Sequence, residues 1–203
     1  MAAKIVVFVD AQNLYEGARQ AFFLSGGSHT LGQFDPQKLG LALTAAKPFG
    51  QEKSERSLAQ VRIYCGLASS SKDPKSNSAR RRQIAVWSKN GVEVTTRSLR
   101  YPSDWPKTAA EEKGIDVALA IDFVTMAVDG DYDIGIIAST DTDLRPAVEY
   151  VIKRQVAAVE VAAWHSEKSR RPLSVEGSSL WCHRLTKAHY DGVADYRDYN
   201  IVI

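Results

Sequence analysis

The sequence predicts an α/β protein with a central, mainly parallel sheet covered by helices on both faces. Three observations predict it. Short runs rich in β-branched residues recur along the chain, apolar on both alternations, as strands buried on both faces require. Helical patterns lie between these runs, which makes βαβ units and a parallel sheet. Aspartates stand where two of the runs end, at the edge where open α/β sheets bind their ligands.

Taken in order, Ile5–Val9 reads as the first strand and Gln12–Phe23 as the helix after it. Ser25–Gln33, rich in Gly and Ser, reads as a loop. Pro36–Ala46 reads as a helix with Asp35 as N-cap and Pro36 in its first turn. Val61–Cys65 is the second strand. Ser69–Ser78 reads as a loop that runs into the helix Ala79–Asn90, and Asn90-Gly91 is the stop before a third strand, Val92–Thr96. Glu111–Val128 is a long apolar helix, Ile134–Ala138 a strand, Leu144–Arg154 a helix and Val156–Ala162 a strand. Trp164–Gly177 reads as a loop, and Ser179–Ala188, which holds Trp181 and Cys182, as a terminal helix.

The 203 residues, 44% of them hydrophobic and 25% charged, suffice for one buried core. One domain over 1–203 is expected, with a core of about 4–163 and an extension of 164–203. A net charge of +2 favours no partner class, so local charge must decide. Cys65 and Cys182 lack CxxC spacing and read as reduced thiols of a cytosolic protein. The run Ile5–Val9 is too short for a signal-peptide core. No segment approaches the ~20 apolar residues that span a bilayer. The expectation is a soluble, cytoplasmic protein without a membrane partner.

Three acidic motifs carry the chemistry. Asp10 ends the first strand in Phe8-Val-Asp-Ala-Gln-Asn-Leu14, with Asn13 three residues on. Asp141 and Asp143 follow the strand Ile134–Ala138 in Ser139-Thr-Asp-Thr-Asp-Leu144. Each also fits a helix cap or a charge at the helix dipole. Asp116 and Asp122 interrupt the apolar helix, where arginines or solvent are alternative partners. Carboxylates converging at one sheet end raise one another's pKa, and a divalent cation relieves the repulsion. Oxygen ligands without Cys or His suit Mg²⁺ or Mn²⁺. Such a metal activates water and stabilises charge on a phosphoryl oxygen.

Together and in this order, the motifs resemble the NYN domain family of PIN-like nucleases. Asp10 and Asn13 match the end of that family's first strand. Lys113-Gly-Ile-Asp116, with Asp122 six residues later, matches the start of its central helix. Ser139-Thr-Asp-Thr-Asp-Leu144, with Pro146 two residues on, matches its later strand end. The resemblance spans roughly 5–163. It implies a three-layer α/β/α PIN-like, Rossmann-like fold and a Mg²⁺- or Mn²⁺-dependent endoribonuclease. Asp10, Asp116, Asp141 and Asp143 would form the acidic pocket, with Asp122, Asn13 and Ser139 in support. Thr140 stands where the family has Gly, and Leu144 where it has an aromatic residue.

Lys72, Lys75, Arg80, Arg81 and Arg82 make the densest basic stretch. Arg97, Arg100 and Lys107, interleaved with Tyr101 and Trp105, make a second, and Lys168, Arg170 and Arg171 a third. Such residues bind phosphates and stack on unpaired bases, or simply face solvent. Arg80, Arg81 and Arg82 are the expected RNA contacts, with single-stranded DNA as a further substrate and a pair of identical chains as an allowed assembly. The four histidines are scattered without metal-ligand spacing. Two other functions compete: a nucleic-acid-binding module of the same fold with little catalysis, and a phosphohydrolase of small phosphoesters. Gln12 stands where one phosphohydrolase class needs a second Asp, and no P-loop is present.

Overall fold

A computed structural model describes residues 2–25, 27–48, 50 and 54–201. Its strands are β1 (Ala3–Asp10), β2 (Arg56–Leu67), β3 (Val92–Ser98), β4 (Ile134–Ala138), β5 (Ala158–Trp164) and β6 (Trp181–Leu185). Its helices are α1 (Ala11–Phe22), α2 (Pro36–Ala45), α3 (Pro74–Lys89), α4 (Ile115–Asp129), α5 (Arg145–Arg154) and α6 (Lys187–Val193). The strands form one sheet in the order β3-β2-β1-β4-β5-β6, and every pairing is parallel.

Alternation along β1 sends Ile5, Val7 and Val9 to one face and Val6 and Phe8 to the other, all at most 1% exposed. The first face packs against Leu14 and Ala18 of α1, Leu39 and Leu43 of α2, Trp87 of α3 and Tyr190 of α6. The second packs against Leu119 and Phe123 of α4 and Val148 and Val151 of α5. Phe8 meets Phe123 and Tyr132 edge-on, with ring centroids at 5.2 and 5.6 Å. The result is the three-layer arrangement the sequence predicts.

The chain leaves β1 outward through β2 to β3, then returns through α4 to β4 on the other side of β1. The strand order therefore reverses between β1 and β4. The carboxyl ends of strands at such a switch point form a crevice.

Several expectations need correction. The helix read over Ser179–Ala188 is strand β6 followed by α6. His183 of β6 turns inward, 2.9 Å from Glu160, which also meets Arg56 at 2.8 Å. That polar burial breaks the apolar alternation by which a strand is recognised. Residues 164–203, set outside the core, thus supply the sheet's sixth strand. The loop read over Ser69–Ser78 ends early, because α3 starts at Pro74 with the Asp73 carboxylate accepting from Ser76 N–H. The helix read from Glu111 starts at Ile115. Gly114 before it has φ +75°, and Glu111 pairs instead with Arg100 in an isolated bridge. Asp35 caps α2 as read, accepting from Gln37 and Lys38 N–H. Of the loop Ser25–Gln33, Gly26 lies outside the described residues. Both cysteines are free, Cys65 buried and Cys182 half-buried. No helix among the described residues is long and apolar enough to cross a membrane.

Candidate metal centre

Asp10 is the last residue of β1 and the N-cap of α1. Its Oδ1 accepts from Asn13 N–H at 3.0 Å and its Oδ2 from the Ser139 hydroxyl at 3.1 Å. Ser139 directly follows β4, and its Oγ in turn accepts from Asp141 N–H at 3.1 Å. Asn13 reaches back across the crevice. Its Oδ1 accepts from both the backbone N–H and the hydroxyl of Thr140, each at 3.0 Å. These bonds tie the ends of β1 and β4 together. The Thr140 side chain, where the family has glycine, is turned onto Asn13.

Asp116 comes from the first turn of α4, the crossover helix that enters β4. Gly114 takes the left-handed conformation that starts this helix, which most side chains resist by about 1–2 kcal/mol. One carboxylate oxygen each from Asp10, Asp116 and Asp141 lies within 4.8 Å of the others. Asp143, exposed, donates its N–H to Asp141 Oδ1 at 2.9 Å.

Asp10 is 4% exposed, and none of the ion pairs among the described residues involves Asp10, Asp116 or Asp141. Burial pushes the Asp10 carboxyl from 3.8 up to about 7, against the hydrogen bond from Asn13, with the Asp116 charge adding to the rise. Asp116 is held above its ordinary value by burial and by the charges of Asp141 and Asp143. Three converging oxygen donors without a cationic partner fit a hard divalent cation, whose charge offsets both the repulsion and the desolvation.

Glu112 was not singled out from the sequence, yet it stands at this site. Its Oε1 accepts from Gly66 N–H at 2.6 Å at the end of β2. Burial raises its pKa, and the neighbouring Asp116 charge adds to the rise. A Cβ at residue 66 would lie 2.5 Å from that oxygen, so the contact needs glycine. The only sequence signal was a second acid beside Glu111, indistinguishable from a solvated charge.

Asp122 is not brought to the cluster. It accepts from Arg62 Nη2 and from the Tyr64 hydroxyl, both at 2.8 Å, on a separate part of the sheet face. The three arginines of α3 diverge, as consecutive residues on a helix must. Arg80 Nη1 donates to Gln83 at 2.7 Å, Arg81 Nε to Asn77 at 3.0 Å, and Arg82 Nε to the Tyr199 carbonyl at 2.7 Å. Arg80 alone of the three acts on Glu112, whose pKa its charge lowers. Lys72 lies over the Tyr101 ring at 4.8 Å.

A family model described as the NYN domain matches residues 4–176. The crystal structure of a Vibrio parahaemolyticus protein of unknown function superposes with a TM-score of 0.52. It is 24% identical, over 79% of this chain and 81% of that one. That likeness speaks for the fold. No curated protein matches the chain.

Proposed function

The chain belongs to the NYN domain family, and from that membership and its acid cluster we propose that it is a Mg²⁺- or Mn²⁺-dependent endoribonuclease of the cytoplasm. One observation carries the reading. Asp10, Asp116 and Asp141 converge, without a cationic partner, at the point where the strand order reverses. Acids serving only as helix caps have no reason to share one crevice. Asp10, Asp116 and Asp141 would hold the metal, and Asp143 adds negative charge beside them. When bound, such a metal polarises a phosphoryl oxygen and lowers the pKa of water.

The rest of the work falls to the chain. Asn13 and Ser139 fix the Asp10 carboxylate and the backbone after β4, so the donors need no reorganisation when substrate arrives. Glu112, whose pKa is raised by burial and by the Asp116 charge, stands beside the acids as a further carboxyl group able to exchange a proton. Arg80 places positive charge at the rim for the RNA backbone.

The test is incubation of labelled single-stranded RNA and single-stranded DNA with Mg²⁺, with Mn²⁺ and with chelator. Cleavage of RNA that needs metal and fails in Asp10→Asn and Asp141→Asn supports the reading. Cleavage that persists in chelator, or retardation of RNA without any product, overturns it. The second result would assign the chain to RNA binding alone.

A further inference from the structure

A cavity of about 340 Å³ opens directly beside the acid cluster. Ala11, next to Asp10, and Gly66, whose N–H holds Glu112, both line it. Its far wall is α3, and the segment between α1 and α2 closes one side. Its size falls within the range of small-ligand sites, about 300–1,000 Å³.

Two polar atoms among its lining residues have no partner among the described residues. Trp87 is 3% exposed, and its Nε1–H is buried without an acceptor among the described residues. Gln33 Oε1 is likewise buried without a donor. The Gln33 amide has a set orientation, because its Nε2 donates to the His29 carbonyl at 3.3 Å. Trp164 shows the ordinary arrangement, its Nε1–H donating to the Leu14 carbonyl at 2.8 Å. Buried polar atoms left unpaired are costly, typically about 1–3 kcal/mol each, so two of them on residues that line one cavity point to a ligand that pairs them.

We propose that this cavity binds one unpaired nucleobase of the substrate strand, with Trp87 N–H donating to it and Gln33 Oε1 accepting from it. The proposal rests on the nuclease reading, since it places that base beside the acids that would act on the strand. An aromatic-walled cavity with one free donor and one free acceptor matches a nucleobase, which carries an acceptor and an N–H donor on one planar edge. A phosphodiester has no donor for Gln33 Oε1, and an aliphatic hydrocarbon satisfies neither atom. Arg80, 6.0 Å over the Trp87 ring, lies at the same wall with its charge available to the strand. The substrate is then single-stranded at this point, because a paired base has its edge engaged.

The test observes the indole N–H resonances of ¹⁵N-labelled protein in EDTA, so no cleavage is involved. The chain has four tryptophans, and Trp87→Phe identifies the Trp87 signal by its loss. Titration with each of the four nucleoside 5′-monophosphates should move the Trp87 resonance and leave that of Trp164 in place. Ribose 5-phosphate should move neither. Gln33→Leu should weaken the response about fivefold, the worth of one hydrogen bond. A short RNA should move Trp87 as well, and an abasic version of it should not. No shift with any nucleotide, or an equal shift with ribose 5-phosphate, overturns the proposal. A shift with free nucleotides but none with RNA overturns its assignment to a strand. Metal-dependent RNA cleavage without a Trp87 shift would retain the nuclease and remove the base site. A Trp87 shift without cleavage would do the reverse.

Discussion

Replacing Asp10 by Asn should stabilise the metal-free protein, and the gain should vanish in acid. Asp10 is 4% exposed, and burial raises its pKa from 3.8 to about 7. Between those values the folded chain holds a proton that the unfolded chain has lost. Stability therefore falls as pH rises from about 4 to about 7, and levels off above. At about 1.4 kcal/mol per unit, the ionised carboxylate costs roughly 4 kcal/mol above pH 7. Asparagine keeps an oxygen for Asn13 N–H and can donate to Ser139 Oγ, so the cap survives while the charge goes. For a chain of 203 residues, 1 kcal/mol moves Tm by about 2–4 °C, so a rise of the order of 10 °C is expected at pH 8. The assay is scanning calorimetry in EDTA at pH 4, 6 and 8, comparing parent and Asp10→Asn. The two should melt together at pH 4 and separate progressively. A variant that melts lower than the parent at pH 8, or a difference independent of pH, would refute the argument and make Asp10 a structural cap.

Three further outcomes are expected. Millimolar Mn²⁺ should raise the Tm of the parent, because a ligand bound only by the folded state adds RT ln(1 + [L]/Kd); Asp141→Asn should lose most of that rise, and an undiminished rise would remove Asp141 from the donor set. Asp122→Asn should keep the full Mn²⁺ response and lower the basal stability by about 1 kcal/mol through the loss of its half-exposed pairing with Arg62; a lost response would return Asp122 to the metal site. Arg80→Ala should flatten the log–log salt dependence of RNA binding by about 0.7, one phosphate contact, whereas Arg82→Ala should leave the slope and reduce stability, since Arg82 holds the Tyr199 carbonyl; equal slopes in both variants would contradict the divergence of the two side chains.

The central strands were legible because burial on both faces leaves an unmistakable mark. β1 and β4 are apolar at successive positions, and acids follow them at once. The periphery was harder. Trp181–Leu185 reads as helix because His183 points inward for the sake of Glu160, a partner 23 residues away that no local pattern reveals. The start of α3 carried the same Asp-Pro signature as α2, but Lys75–Ser78 has no apolar spacing to extend it backwards. The position of Asp10, Asp116 and Asp141 at one edge followed from strand ends and a helix start. Glu112 stands at the cluster and Asp122 does not, the reverse of what the sequence suggested. Glu112 precedes α4, so helical spacing cannot place it, and Asp122 lies about 120° round the helix from Asp116, where it meets Arg62 and Tyr64. The cavity was beyond reading, since its walls come from residues as distant in the chain as Ala11 and Tyr199.

The two strands that carry the acid cluster are neighbours in space but 124 residues apart between Asp10 and Ile134 in the sequence, and β1 has β4 as its second sheet partner. Asp10 is therefore synthesised 106 residues before Asp116 and 131 before Asp141. Asp141 reaches Asp10 only when β4 has paired with β1. Until that pairing forms, the acids are dispersed along the chain and no assembled centre exists.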